Sequence, residues 1–259
     1  MALAPKIDEV RQFIQNANLD LALITETWLR NHIHDNVISV SGYNIVRRDR
    51  LLDTHGGVCI YVKNSIDFQV LDFIMNDKIE AIWLKLRPLR LPRGMPCIII
   101  ANVYHPRTNK GAKDSYLLSY FYDSMSAIES RFPNCCVLIA GDFNRLDMSR
   151  FCNAFQLKQI VKFPSRGDRT LDVIFTNMKE YYETPVKRPA FGLSDHATIE
   201  IQPLLRSHQP TAKRTVLSRD LRRTKKNALS SCLVSVVVDV MVKSKESCEE
   251  KLEARYFFC

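Results

Sequence analysis

Two short segments carry the residues best suited to chemistry. Val137 to Asn144 reads V-L-I-A-G-D-F-N, an apolar run that delivers Asp142 and Asn144 at its end. Leu193 to His196 reads L-S-D-H and sets Asp195 beside His196. A third run, D-L-A-L-I-T-E, ends in Glu26. Strands that stop in carboxylate, amide and imidazole groups can aim them at a phosphate and a metal. Phosphodiester hydrolysis needs a cation to neutralise the phosphate, a base or orienting group for water, and stabilisation of the leaving oxygen. Magnesium prefers a few carboxylates plus waters, and Glu26, Asp142, Asp172 and Asp195 all lie at or near predicted strand ends. His196 can act near neutral pH when a carboxylate orients its other nitrogen. Asp172, in T-L-D-V-I-F-T-N, is the candidate for that carboxylate. Asn144 can donate to a phosphate oxygen or hold the water, and Tyr104 in N-V-Y-H-P can offer its hydroxyl. Each residue alone has a plainer reading: a strand-end Asp is usually a turn or cap residue, a lone Tyr packs, and G-D-F-N makes a tight turn. Their combined order, each beside an apolar strand, points to chemistry.

The elements that must hold these groups can be read from periodicity. Apolar residues at Ile7, Val10, Phe13 and Ile14 mark one face of a helix over 5–16, with Pro5 suited to its first turn. Asp20 to Thr25, Val58 to Val62, Ala81 to Leu86, Cys97 to Val103, Cys136 to Ala140, Leu171 to Thr176 and Thr198 to Ile201 read as strands. Asp114 to Arg131 is helical in pattern and ends before Pro133. Several strands are apolar throughout, so they are buried on both faces and need layers outside them. Two packed sheets with helices on their outer faces satisfy that demand.

The 259 residues suit one large α/β domain, expected over 1–203. Residues 204–259 are a basic and then mixed-charge tail with no core that can be derived, expected to be poorly ordered. Between Leu204 and Lys226 eight basic residues face Asp220 alone, so this stretch carries +7 of the chain's +9. A basic segment can hold nucleic acid through counterion release or serve as a solvated linker. The eight cysteines include no C-x-x-C pair, which disfavours a zinc site and suggests buried small hydrophobes in a reducing compartment. The opening M-A-L-A-P-K-I-D-E-V lacks a signal-peptide core, and Leu233 to Val242 is too short to span a bilayer. The expectation is a soluble intracellular protein, nuclear or cytoplasmic and not secreted, with no membrane partner.

Further segments carry a specific resemblance. L-A-L-I-T-E-T-W-L, S-G-Y-N-I-V-R-R-D-R, H-G-G-V-C-I-Y-V-K, I-A-N-V-Y-H-P, V-L-I-A-G-D-F-N, P-S-R-G-D-R-T-L-D-V-I-F-T-N and L-S-D-H follow one another between Lys6 and Ile201. The chain resembles the endonuclease/exonuclease/phosphatase superfamily, most closely the endonuclease domain of non-LTR (LINE-type) retrotransposon polyproteins. The resemblance implies a DNase-like four-layer α/β/β/α sandwich and magnesium-dependent nicking of DNA, with manganese as a substitute and no small-molecule cofactor. It makes Glu26 and Asp195 the metal residues and Asp142 the group that positions or activates water, with Asn144 beside it. Tyr104 and His196 then contact the phosphate, and Asp172 partners His196. Arg166 to Asp168, R-G-D, matches a family loop before a strand, which argues against an adhesion motif.

The family's first core strand ends in an Asn that helps bind metal and phosphate, and nothing in M-A-L-A-P-K-I-D-E corresponds to it. The expectation is a sandwich truncated at its N-terminus by about one strand, with weak magnesium binding and poor cleavage. Loss of one such positioned group costs on the order of 10²–10³ in rate. The chain also stops without the reverse transcriptase of full-length elements. The alternatives are a catalytically inactive nucleic-acid-binding relic of the same fold, or a phosphatase for small phosphorylated molecules.

Overall fold

The computed structural model describes residues 2–50, 55–88, 91, 94–106, 114–204, 226, 227 and 230. The chain divides into two units, Met1–Leu205 and Arg206–Cys259, and the elements below belong to the first. The basic run, Cys232, Cys248, Cys259 and the apolar stretch from Leu233 to Val242 lie outside the described residues, apart from Lys226.

In chain order the elements are α1 (Ile7–Asn16), β1 (Leu21–Thr25), β2 (Tyr43–Arg48), β3 (Val58–Lys63), β4 (Asp67–Val70), β5 (Glu80–Arg87) and β6 (Ile98–Tyr104). Then come α2 (Asp114–Arg131), β7 (Cys136–Asp142), α3 (Ser149–Ala154), β8 (Lys158–Gln159), β9 (Asp172–Thr176), β10 (Val186–Arg188) and β11 (Thr198–Glu200). The expected helices and strands all form, with ends displaced by a few residues. A short 3₁₀ turn, Ala4–Lys6, takes Pro5 ahead of α1. Four strands beyond the predicted set, β2, β4, β8 and β10, complete the sheets.

A six-stranded sheet runs β4-β5-β6-β7-β9-β8, and a three-stranded sheet runs β1-β3-β2. β10 and β11 pair as a separate two-stranded sheet. Among the described residues only β6 and β7 pair in parallel, and α2 lies in the crossover between them. Three apolar clusters show why the chain stacks as it does. One lies between the six-stranded sheet and α2 and α3, built on Trp83, Ala101, Phe121, Ile139 and Phe151. A second joins the two larger sheets, with Ile60, Leu84, Ile100, Leu138 and Ile174. The third seals α1 on the three-stranded sheet through Val10, Ile14, Cys59 and Tyr61. These three interfaces make the α/β/β/α sandwich. β3 shows the period-2 logic: Val58, Ile60 and Val62 face the other sheet, Cys59 and Tyr61 face α1, and all five are buried.

One side chain ties the sheets together by hydrogen bonds. Asn102, on β6 and fully buried, donates its amide to the carbonyls of Ile24 (2.9 Å) and Cys59 (2.8 Å). Cys59, Cys97, Cys135, Cys136 and Cys152 are buried free thiols. Among the described residues no helix is long and apolar enough to cross a membrane.

Candidate active site

Sheet register assembles the first part of the site. Tyr104 on β6 pairs with Asp142 on β7, and Asp142 pairs with Asp172 on β9. Three polar side chains therefore stand in one row across three adjacent strands. The row is at the C-terminal ends of β6 and β7 and the N-terminal end of β9. β6 and β7 are largely apolar before they reach this row and β9 is apolar just after it, so burial of each strand presents the polar residue at its tip.

The remaining groups come from turns. Glu26 follows β1 with φ 52°, and its carboxylate accepts the Tyr104 hydroxyl hydrogen. His196 lies just before β11, and its Nδ1 is 2.7 Å from an Asp172 oxygen. Asp142 Oδ1 accepts the Asn144 backbone N–H at 3.0 Å, closing an Asx-type turn with Asn144 at φ 52°. The Asn144 amide in turn donates to the His105 carbonyl. Asp195 ion-pairs with Arg166 and stands 4.0 Å from His196 Nε2. Glu26, Tyr104, Asp142, Asn144, Asp172 and His196 are thus linked by register or contact. Asp195 is 60% exposed and turns toward Arg166.

Asp142, Asp172 and His196 each place a ligand atom within 4.8 Å of the others. Glu26 and Asp195 lie outside this group: Glu26 is bound to Tyr104 and Asp195 to Arg166. Burial, followed by the negative charge of Asp172, raises the Asp142 carboxyl to about 7. His196 and the Asn144 N–H act in the opposite direction. For His196, burial is the largest influence and lowers its pKa. The hydrogen bond and charge of Asp172, with Asp142 and Asp195, outweigh it and leave the imidazole raised. Tyr104 is also raised, by burial and then by Glu26, so it remains a phenol donor at neutral pH. Opposed carboxylates in a buried row repel each other. Their oxygen-rich, crowded chemistry fits a hard divalent cation, whose charge would relieve that repulsion.

Several positioning groups carry no motif of their own. Ser165, 2% exposed, accepts the backbone N–H of Leu171 and of Asp172 with its Oγ, each at 3.0 Å. Its carbonyl accepts the N–H of Ala197 at 2.8 Å. One serine therefore fixes both ends of the Asp172–His196 pair. The Arg166–Asp168 segment is a turn closed by Arg166 and Arg169, next to Asp195. Glu80, at the start of β5, pairs with Arg50 and accepts the Gly57 N–H. Arg50 lies over the Tyr104 ring at 5.7 Å. A lone Ser or Arg–Glu pair has no sequence spacing that would have singled it out.

A family model described as endonuclease/exonuclease/phosphatase matches residues 1–196. Among curated proteins no sequence matches the chain. Among solved structures the fold is similar to the endonuclease domain of TRAS1, a telomere-specific non-LTR retrotransposon. The TM-score is 0.55 at 13% identity, covering 79% of this chain and 94% of that one. It is also similar to the AP endonuclease LMAP of Leishmania major, with TM-score 0.57, 16% identity, and 77% and 83% coverage. A 3′–5′ exonuclease of Neisseria meningitidis gives 0.55, 14%, 78% and 96%. At these identities the likeness is one of fold.

Proposed function

The chain belongs to the endonuclease/exonuclease/phosphatase family, and from that premise we propose that it is a divalent-metal-dependent endonuclease that nicks DNA, of the kind carried by non-LTR retrotransposons. The observation that carries this reading is the convergence of Asp142, Asp172 and His196 at the tips of adjacent elements, with ligand atoms within 4.8 Å. A phosphodiester in that row meets a water-activating carboxylate, a hydrogen-bond donor and an oriented imidazole together.

The roles follow from the local chemistry. Asp142, with one oxygen committed to the Asn144 N–H, uses the other to position water and accept its proton. A carboxyl raised to about 7 is matched to that task near neutral pH. His196 donates to a phosphate oxygen, and Asp172 fixes the ring through Nδ1. Tyr104, kept protonated, offers a second donor, and Asn144 steadies the turn that holds Asp142. Magnesium or manganese would be held by Glu26 and Asp195, and when bound would supply positive charge to the phosphate.

The test is nicking of supercoiled plasmid in magnesium by the wild-type chain and by Asp142→Ala. The expected result is nicked circles from the wild type and a loss of at least 10²-fold in the variant. Folded wild-type protein that binds DNA and leaves the plasmid intact overturns the enzyme reading and leaves a nucleic-acid binder.

A further inference from the structure

The chain contains two tryptophans, Trp28 and Trp83, and the fold treats them in opposite ways. Trp83 is fully buried on β5, with its indole N–H donated to the Tyr120 hydroxyl at 2.8 Å. Trp28 is 39% exposed. A loose loop does not explain this exposure. Thr27 before it and Leu29 after it are 1% and 2% exposed. The backbone N–H groups of Thr27 and Trp28 donate to the carbonyls of Gly57 (3.1 Å) and Gly56 (2.8 Å). Glu26 and Trp28 both adopt left-handed backbone, φ 52° and 53°, a conformation that residues with a Cβ avoid. The indole and the His55 ring meet in a T-shaped contact, with ring centroids 4.2 Å apart at 85°.

A large apolar ring is therefore held at the surface by buried neighbours, fixed hydrogen bonds and a disfavoured backbone. Such an arrangement signals a binding group. Its place narrows the ligand. Trp28 is two residues beyond Glu26, whose carboxylate meets Tyr104. Two residues reach roughly 7 Å at most, about two steps of base stacking along a strand. An aromatic face beside a phosphate site is matched in nucleic acid by the face of a base.

We propose that Trp28, backed by His55, stacks on a nucleobase of the bound DNA next to the phosphate held at the Glu26–Tyr104 end of the site. The inference rests on the nuclease reading and names how that site grips its substrate. Trp28 is a substrate-positioning residue and takes no part in the bond-breaking step.

Both tryptophans emit when excited at 295 nm, so Trp28→Leu supplies the Trp83 share and the difference from the wild type reports on Trp28. The experiment titrates the full chain in EDTA with a 20-base-pair duplex, fluorescein-labelled to follow binding by anisotropy and unlabelled to follow stacking by tryptophan emission. Wild-type emission should be quenched as the duplex binds. Trp28→Leu should bind about tenfold more weakly, with the emission of Trp83 unchanged. Trp28→Phe should restore binding to within about threefold. Single-turnover nicking of plasmid in magnesium by the wild-type chain is measured alongside. Wild-type binding without quenching, or equal binding by Trp28→Leu, overturns the proposal. Should the Leu variant fail to fold by circular dichroism, wild-type quenching and the Phe variant still decide. A wild-type chain that binds with quenching and does not nick supports the stacking and removes the nuclease reading. One that does not bind removes both.

Discussion

Gly141 precedes Asp142 on β7 at φ +143° and faces Val103 across the parallel pair. A Cβ built there would lie 1.9 Å from the Val103 carbonyl oxygen and 2.8 Å from its carbon. Side-chain carbons do not approach backbone oxygens closer than about 3 Å, and neither strand can rotate a flexible group out of the way. Gly141→Ala must therefore part β6 and β7 by about an ångström, one step from the Tyr104–Asp142 pair. One or two ladder hydrogen bonds lost at about 1 kcal/mol each, plus about 1–3 kcal/mol of backbone strain, give a destabilisation of about 3 kcal/mol. Domains of this size are stable by roughly 5–15 kcal/mol, so the variant should still fold in the cold. Gly42→Ala is the control: Gly42 has φ +86° but nothing within 4 Å of the added carbon, so it isolates the backbone term at about 1 kcal/mol. Urea unfolding, read as a midpoint shift at constant slope, measures both. Nicking by Gly141→Ala should fall about 10²-fold, since an ångström of displacement at the reacting group costs about that much. A loss below 1 kcal/mol, or no greater than that of Gly42→Ala, would refute the close packing of β6 on β7.

The raised Asp142 and His196 values act on stability in the same direction. An acid raised to about 7 in the fold costs stability as pH rises from its unfolded value near 4 to its folded value, because the unfolded chain ionises first. A histidine raised by Asp172 stabilises the fold while protonated, and that contribution is lost as pH rises through its folded value. In EDTA the melting temperature should therefore fall between pH 5 and pH 8, and Asp142→Asn should flatten the fall; a steeper decline in that variant would contradict the assignment. Ser165→Ala strands the Leu171 and Asp172 N–H groups, so it should cost about 2–3 kcal/mol in urea and slow nicking; full activity would show that Asp172 is held by other means. Burial pushes Cys135 up to about 12 and Cys152 up to about 11, so iodoacetamide at pH 8 should modify them in urea and spare them in the native protein. Mass spectrometry of the corresponding peptides makes that comparison.

How legible the molecule was in its sequence depended on what determined each part. The long apolar strands β3, β5, β6 and β7 are set by burial on both faces, which leaves a mark in composition. β2 carries Y-N-I-V-R-R and ends in two arginines that read as surface. In the structure Arg47 is held by Asp35 and Asp49, and Arg48 donates to the Asn76 carbonyl; those partners become visible only when the chain folds. β4 is an edge strand with an exposed Asp67 and Gln69, and β8 and β10 are only two and three residues long. The site followed the same division. Asp142, Asp172 and His196 lie at the ends of apolar runs or in a short polar motif, so position exposed them. Ser165, Arg50 and Glu80 act through partners far away in sequence, and isolated residues of those types are common. Asp195 was legible as an acid beside His196, but its engagement with Arg166 follows from a turn that only the fold creates.

The site gathers Glu26 and His196 from opposite ends of a 170-residue stretch. A ribosome adds roughly 5–20 residues per second, so about 10–30 seconds separate their emergence. During that interval β1, β6 and β7 can find their partners, while the imidazole and the final anchor of Ser165 to Ala197 have yet to be made. A nascent or prematurely terminated chain therefore carries Glu26, Asp142 and then Asp172 without Asp195 and the imidazole that complete them. On the proposed nuclease reading, activity becomes available only after almost the whole domain has been translated, and the order of synthesis itself guards against cleavage by fragments.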